Sequence, residues 1–200
     1  MCGIVGFNWE DSDLLRKMNT TIEHRGPDGC GYYTDKHVSL GNRRLAIIDL
    51  SKKANQPMSN KSRTVWITYN GEIYNYKELS KELETKGYAF TTNPDTEVII
   101  HAYQEYGSEC VKKFNGMFAF AIWDEQNEEL FIARDRFGEK PIFFINHGDG
   151  FYFASELNAL RTIYPRELTI NQDAVIDLVE YLYINLHHSI YQEVLPCTSH

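Results

Sequence analysis

The sequence predicts an α+β domain, and three features of its pattern carry the prediction. A short apolar strand stands at the very start, two amphipathic helices follow one another mid-chain, and a run of four strands begins after Gly116. Strands and helices are grouped rather than alternating, which points to antiparallel sheets with helices beside them instead of βαβ units.

Each element has its own signal. Residues 2–8 read as a buried strand. Behind the polar start Asp11-Ser12, the side chains Leu14, Leu15, Met18 and Ile22 recur at helical spacing, giving a helix over 11–23. Residues 24–29 are dense in turn formers and make a loop that feeds a strand over 30–34, paired with one over 38–42. Residues 43–49 mix two cations with β-branched side chains. Residues 64–69 form a strand ending at Asn70-Gly71.

Leu79 and Leu83, four apart and closed by Gly87, predict a helix over 75–86. Val98, Ile99, Ala102 and Tyr103 share one stripe of a second helix over 95–106, stopped by Gly107. Strands then follow at 117–123, 130–133, 141–145 and 151–154, with a short helix over 155–161 and a longer one over 173–184. The end of the chain, 196–200, reads as an irregular tail. Residues 1–195 form one domain on this reading.

The balance of 20 Lys+Arg against 28 Asp+Glu leaves a formal charge of −8 without a basic cluster. That argues against nucleic acid or an anionic membrane as partner, since both demand positive patches. The longest apolar run, residues 117–123, falls far short of the ~20 that span a bilayer. Acids follow the first strand at once where a secretory leader would continue its apolar stretch, so a cytoplasmic location is expected. Four irregularly spaced cysteines without a C-x-x-C fit reduced thiols. Cys30 and Cys110 read as core thiols. Phosphate-loop, dinucleotide and zinc spacings are all missing, and His187-His188 reads as surface or packing, so no metal site is expected.

One position stands apart. Removal of Met1 would leave Cys2 with a thiol and a free α-amine on one residue, a nucleophile with its own base. The plain alternative is a small apolar residue in a buried first strand. Gly3 and Gly6 beside it serve either close approach to a ligand or packing.

In order along the chain stand MCGIVG, HRGPDG, RRLAIIDL, NGEIYN, PDTEV, GMFAFAIWD, ARDRFGEKP and ASELNAL. This ordered set resembles the N-terminal-cysteine (class II) glutamine amidotransferases, and within them the glutaminase domain of glutamine-hydrolysing asparagine synthetases. The resemblance implies an Ntn-hydrolase-like four-layer αββα sandwich of two antiparallel sheets. It implies L-glutamine as substrate and Cys2 as the nucleophile forming a glutamyl thioester, with Asn70 and Gly71 as oxyanion donors. Alone, Asn-Gly is a hairpin-turn signal. Arg44 matches the arginine that grips the substrate carboxylate, Glu72 and Asp95 the acids near its ammonium, and Leu45, Ile47 and Ile48 the pocket lining. Arg44 taken by itself is a surface cation, and Asp95 a helix N-cap. Residues 25–28 either shape the loop over the pocket or serve structure, and residues 134–141 read as structure or domain contact.

The same resemblance implies ATP and magnesium for a synthetase domain that receives the ammonia, but the SGGxDS-type motif of that domain is not in these 200 residues. No cofactor is expected in the domain itself, and a homodimer stays open. Asn158 stands where lysine is common, Pro94 where a small hydroxyl residue is usual, and LPCTSH where the family continues with glycine. Two other readings stand beside this one: a glutaminase domain serving another acceptor, such as a sugar or antibiotic precursor, and a non-catalytic scaffold of the same fold.

Overall fold

The computed structural model describes residues 1–46, 54–91, 95–185 and 188–197. Ten strands and five α-helices are assigned among them: β1 (Gly3–Phe7), α1 (Ser12–Thr20), β2 (Gly29–Thr34), β3 (Ser39–Arg44), β4 (Met58–Ser59), β5 (Val65–Ile73), α2 (Tyr76–Thr85), α3 (Asp95–Tyr106), β6 (Gly116–Asp124), β7 (Glu129–Arg134), β8 (Phe143–His147), β9 (Gly150–Ala154), α4 (Leu157–Ile163), α5 (Gln172–Tyr181) and β10 (Val194–Pro196).

The strands form two antiparallel sheets, a six-stranded one ordered β10-β8-β9-β1-β3-β2 and a four-stranded one ordered β4-β5-β6-β7. Three apolar layers explain how they stack. Ile4, Leu40, Ala119, Ala121, Trp123 and Phe153 fill the space between the sheets. Val5, Phe7, Leu15, Met18, Leu160 and Ile163 join α1 and α4 to the outer face of the larger sheet. Ile67, Leu79, Leu83, Ile99, Phe120 and Ile122 join α2 and α3 to the outer face of the smaller one. Successive strand residues point to opposite faces, so Ile4 and Val5 serve different layers. The result is the α+β class expected from the sequence pattern, in the four-layer αββα arrangement that the family resemblance implies.

Polar groups fix the sheets relative to each other. Thr68 on β5 donates its hydroxyl to the Gly41 carbonyl on β3 at 3.0 Å, and Asn42 Nδ2 reaches Gln56 Oε1 and Thr68 Oγ1, both at 3.3 Å. Gln56 Oε1 also accepts the Tyr69 backbone N–H at 2.6 Å. These bonds hold the middles of β3 and β5 close together, and the candidate site lies where the two strands run on to Arg44 and Asn70.

Several expectations need correcting. β5 does not end at Asn70-Gly71 but runs to Ile73, because β6 pairs with it through Gly71↔Phe118 to Ile73↔Gly116. A Cβ on Gly71 would stand 2.7 Å from the Phe118 Cα and collide with the Met117 carbonyl, so this glycine serves close approach within a strand rather than a turn. The tail expected from residue 196 is in part ordered: β10 includes Pro196 and pairs with β8, and the Cys197 N–H bonds to the Ile142 carbonyl. The last helix stops at Tyr181 because Leu182 turns left-handed, with φ 63°. Gly3 and Gly6 are packing glycines, since side chains there would meet Ile22 and Phe153. Cys110 is a core thiol, pushed by burial to a pKa of about 12, but Cys30 on edge strand β2 is exposed. Among the described residues no helix is long and apolar enough to cross a membrane.

Candidate active site

Cys2 immediately precedes β1, and the pairing Gly3↔Arg43 sets it beside the end of β3. The Leu45 backbone N–H donates to the Cys2 sulfur at 3.4 Å, and the thiol faces the Leu45 carbonyl at 3.7 Å. On the other side Arg25 Nε donates to the Cys2 carbonyl at 3.0 Å while its Nη1 reaches Glu156 at 2.9 Å, and His24 meets the same carboxylate oxygen at 2.9 Å. Burial opposes the charge on Glu156, but the bonds from Arg25 and His24 outweigh it and hold that carboxyl below the ordinary range. The loop expected over the pocket packs against the same strand end: the Asp28 N–H bonds to the Arg44 carbonyl at 3.1 Å, and Asp28 Oδ2 accepts the Ala46 N–H at 2.9 Å.

Strand alternation separates the two adjacent arginines. Arg43 turns toward α1, donating to the Asn19 carbonyl and to Glu23, both at 3.1 Å. Arg44 faces the opposite way, into a cleft of roughly 250 Å³ that it lines with Cys2, Leu45, Asn70, Gly71, Glu72 and Asp95. Seven of the nine residues singled out in the sequence thus meet in one cavity. Ile47 and Ile48 lie outside the described residues, as do Pro94 and His187.

Within the cleft, Asn70 is 2% exposed and its side-chain Nδ2 has no hydrogen-bond partner among the described residues. A buried amide donor without an acceptor is costly unless something that visits the site supplies one. Asp95, at the start of α3, accepts the Tyr69 hydroxyl at 2.7 Å and the Ile73 N–H at 2.9 Å through one carboxylate oxygen. These two bonds bracket residues 70–72 and clamp β5 to the helix. Burial raises Asp95 above the usual carboxylate range against the pull of those bonds, and burial together with Asp95 drives the Tyr69 phenol far upward, so Tyr69 remains a donor.

Three residues of the site were not read from the sequence as such: Tyr69 and Gln56, which pin β5, and Lys140, which enters the cleft beside Met1. The charged turn over 134–141 is structural at its centre. Asp135, 1% exposed, accepts the backbone N–H groups of Phe118, Phe137, Glu139 and Lys140 at 2.9 to 3.2 Å. Among the described residues no group of three His, Cys, Asp or Glu is placed to hold a metal ion.

The arrangement puts a thiol, an unpartnered amide donor, two acids and two cations around one small cavity, a set suited to an amino-acid amide carrying charges of both signs. The family model for the glutamine amidotransferase domain matches residues 1–198. Asparagine synthetase (glutamine-hydrolyzing) 1 of Bacillus subtilis is 43% identical over 192 residues, covering 92% of this chain and 30% of the relative. A putative asparagine synthetase (glutamine-hydrolyzing) 2 of Methanocaldococcus jannaschii is 41% identical over 219 residues, covering 96% and 41%. The chain therefore spans well under half the length of these relatives. A solved structure of the allosteric regulatory enzyme of purine biosynthesis shares the fold, with a TM-score of 0.71 at 23% identity over 80% of this chain and 43% of that one. The two-sheet fold, the match along nearly its whole length and the identity to these relatives over 92% and 96% of the chain agree: this chain belongs to the glutamine amidotransferase domain family.

Proposed function

We propose that this chain hydrolyses glutamine to glutamate and ammonia through a thioester on Cys2, as the glutaminase part of an asparagine synthetase. The observation that carries the reading is the Cys2 sulfur in the same cleft as the partnerless Asn70 amide. A nucleophile and an idle buried donor lining one cleft are what attack on a carboxamide calls for.

Met1 must first be removed, because its peptide bond to Cys2 occupies the nitrogen that acts as base. The released α-amine has an ordinary pKa of about 7.7 to 8.0 and takes the thiol proton near neutral pH. Sulfur then adds to the side-chain carbonyl carbon of glutamine, and the oxyanion is received by Asn70 Nδ2 and the Gly71 N–H. As the C–N bond breaks, the ammonium form of the amine returns its proton to the departing nitrogen, and ammonia leaves. Water adds to the thioester, the C–S bond breaks, and glutamate and the thiol are released with one proton. Arg44 pairs with the substrate α-carboxylate through its planar fork, and Glu72 and Asp95 face the α-ammonium.

The ammonia passes to a synthetase unit, where ATP and magnesium would activate the acceptor. The test is glutamate release from glutamine by the Met1-free protein and by Cys2→Ala. Turnover in the first and none in the second is expected; equal turnover overturns the reading.

A further inference from the structure

Lys140 is only 6% exposed, and its backbone is held from both sides: its N–H bonds to Asp135 Oδ2 at 3.0 Å, and its carbonyl accepts Arg134 Nε at 2.8 Å. With the loop pinned, the side chain is directed into the cleft that Cys2 and Asn70 also line. The hydrogen-bond partner of its ammonium among the described residues is the Met1 sulfur, at 3.2 Å. A thioether is a weak acceptor, and a buried ammonium with three donors is expensive without an anion. Loss of Met1 takes even that partner away and leaves the charge facing the cavity that Cys2 also lines.

We propose that Lys140 receives the side-chain carboxylate of the product glutamate and so sets how tightly that product is held. The proposal rests on the glutaminase reading. Glutamine is neutral at the end that Cys2 attacks, whereas hydrolysis of the thioester creates a carboxylate there, the one anion that distinguishes product from substrate. Arg44, assigned to the α-carboxylate common to both, does not discriminate between them. Lys140 is in this sense a specificity-determining residue, presented by a turn that the sequence marks as structure or domain contact.

The test uses Met1-free protein and compares the KM for glutamine with the inhibition constant for glutamate. Lys140→Met, similar in length and uncharged, is expected to weaken glutamate inhibition roughly tenfold or more, while KM changes by less than about threefold. Lys140→Arg restores the inhibition. A parallel change in both constants, or none in either, overturns the proposal. A comparison that requires no variant keeps it testable should Lys140→Met fail to fold: L-norvaline keeps the α-groups of glutamate and has a methyl in place of the side-chain carboxylate. Wild-type protein is expected to bind glutamate roughly tenfold more tightly than norvaline, and equal inhibition contradicts the assignment. Absence of glutamine turnover in the wild type removes the glutaminase reading and this proposal together, whereas turnover with unselective inhibition removes the role of Lys140 alone.

Discussion

The Tyr69 hydroxyl donates to Asp95 across 2.7 Å, joining the strand that carries Asn70 to the first turn of α3. Asp95 is 7% exposed, and burial raises its carboxyl above the ordinary 3.8. Above pH 3.8 the unfolded chain gives up this proton while the folded chain keeps it, so the group makes stability fall as pH rises toward the raised value. Asp95→Asn has no such proton and retains an acceptor for Tyr69 and Ile73. The stability of Asp95→Asn relative to wild type, followed by urea unfolding from pH 4 upward, is therefore expected to increase with pH. A difference that stays flat or declines would contradict the placement of this carboxyl.

Asn70 offers a donor that none of the described residues uses. Asn70→Ala is expected to lower kcat for glutamine hydrolysis roughly 10² to 10³-fold with little change in KM, as loss of one oxyanion donor does. Steady-state kinetics check this, and a kcat within about threefold of wild type rules out the oxyanion role.

Asp135 gathers four backbone N–H groups, two on each carboxylate oxygen. Asp135→Asn replaces one oxygen by an NH₂ group that cannot accept, leaving two donors facing another donor. A loss of roughly 3 kcal/mol in chemical denaturation is expected, and an unchanged midpoint would show that the turn is held by other means.

Cysteine reactivity separates surface from core. Iodoacetamide is expected to modify exposed Cys30 in the native protein and to reach Cys110, buried and with a pKa near 12, only after unfolding. Peptide mapping of the labelled protein decides, and native labelling of Cys110 would contradict the packing of the 3-10 segment that follows α3.

Local signals survived where tertiary contacts agreed with them. Asp95–Tyr106 falls where apolar periodicity places it, although the backbone continues from Gly107 to Lys113 as a 3-10 segment. Gly87 closes the preceding helix with φ 97°, as a glycine stop should. Local reading failed where a distant partner decides. Asn70-Gly71 carries a turn signature yet lies inside β5, because β6 supplies hydrogen bonds along that entire stretch. β10 was hidden because three residues against a sheet edge have no periodicity of their own. Cys30 was misassigned because an edge strand turns alternate residues to solvent. The cysteine, the arginine and the Asn-Gly pair were legible through an ordered set of motifs, whereas the entry of Lys140 beside Met1 depends on how the two sheets stack.

The mass of the protein quenched in acid during glutamine turnover tests the central claim most directly. Protein lacking Met1 should carry a glutamyl adduct that maps to Cys2 and disappears in Cys2→Ala. Full glutamate release by protein that still retains Met1, or an adduct on any other residue, would contradict it.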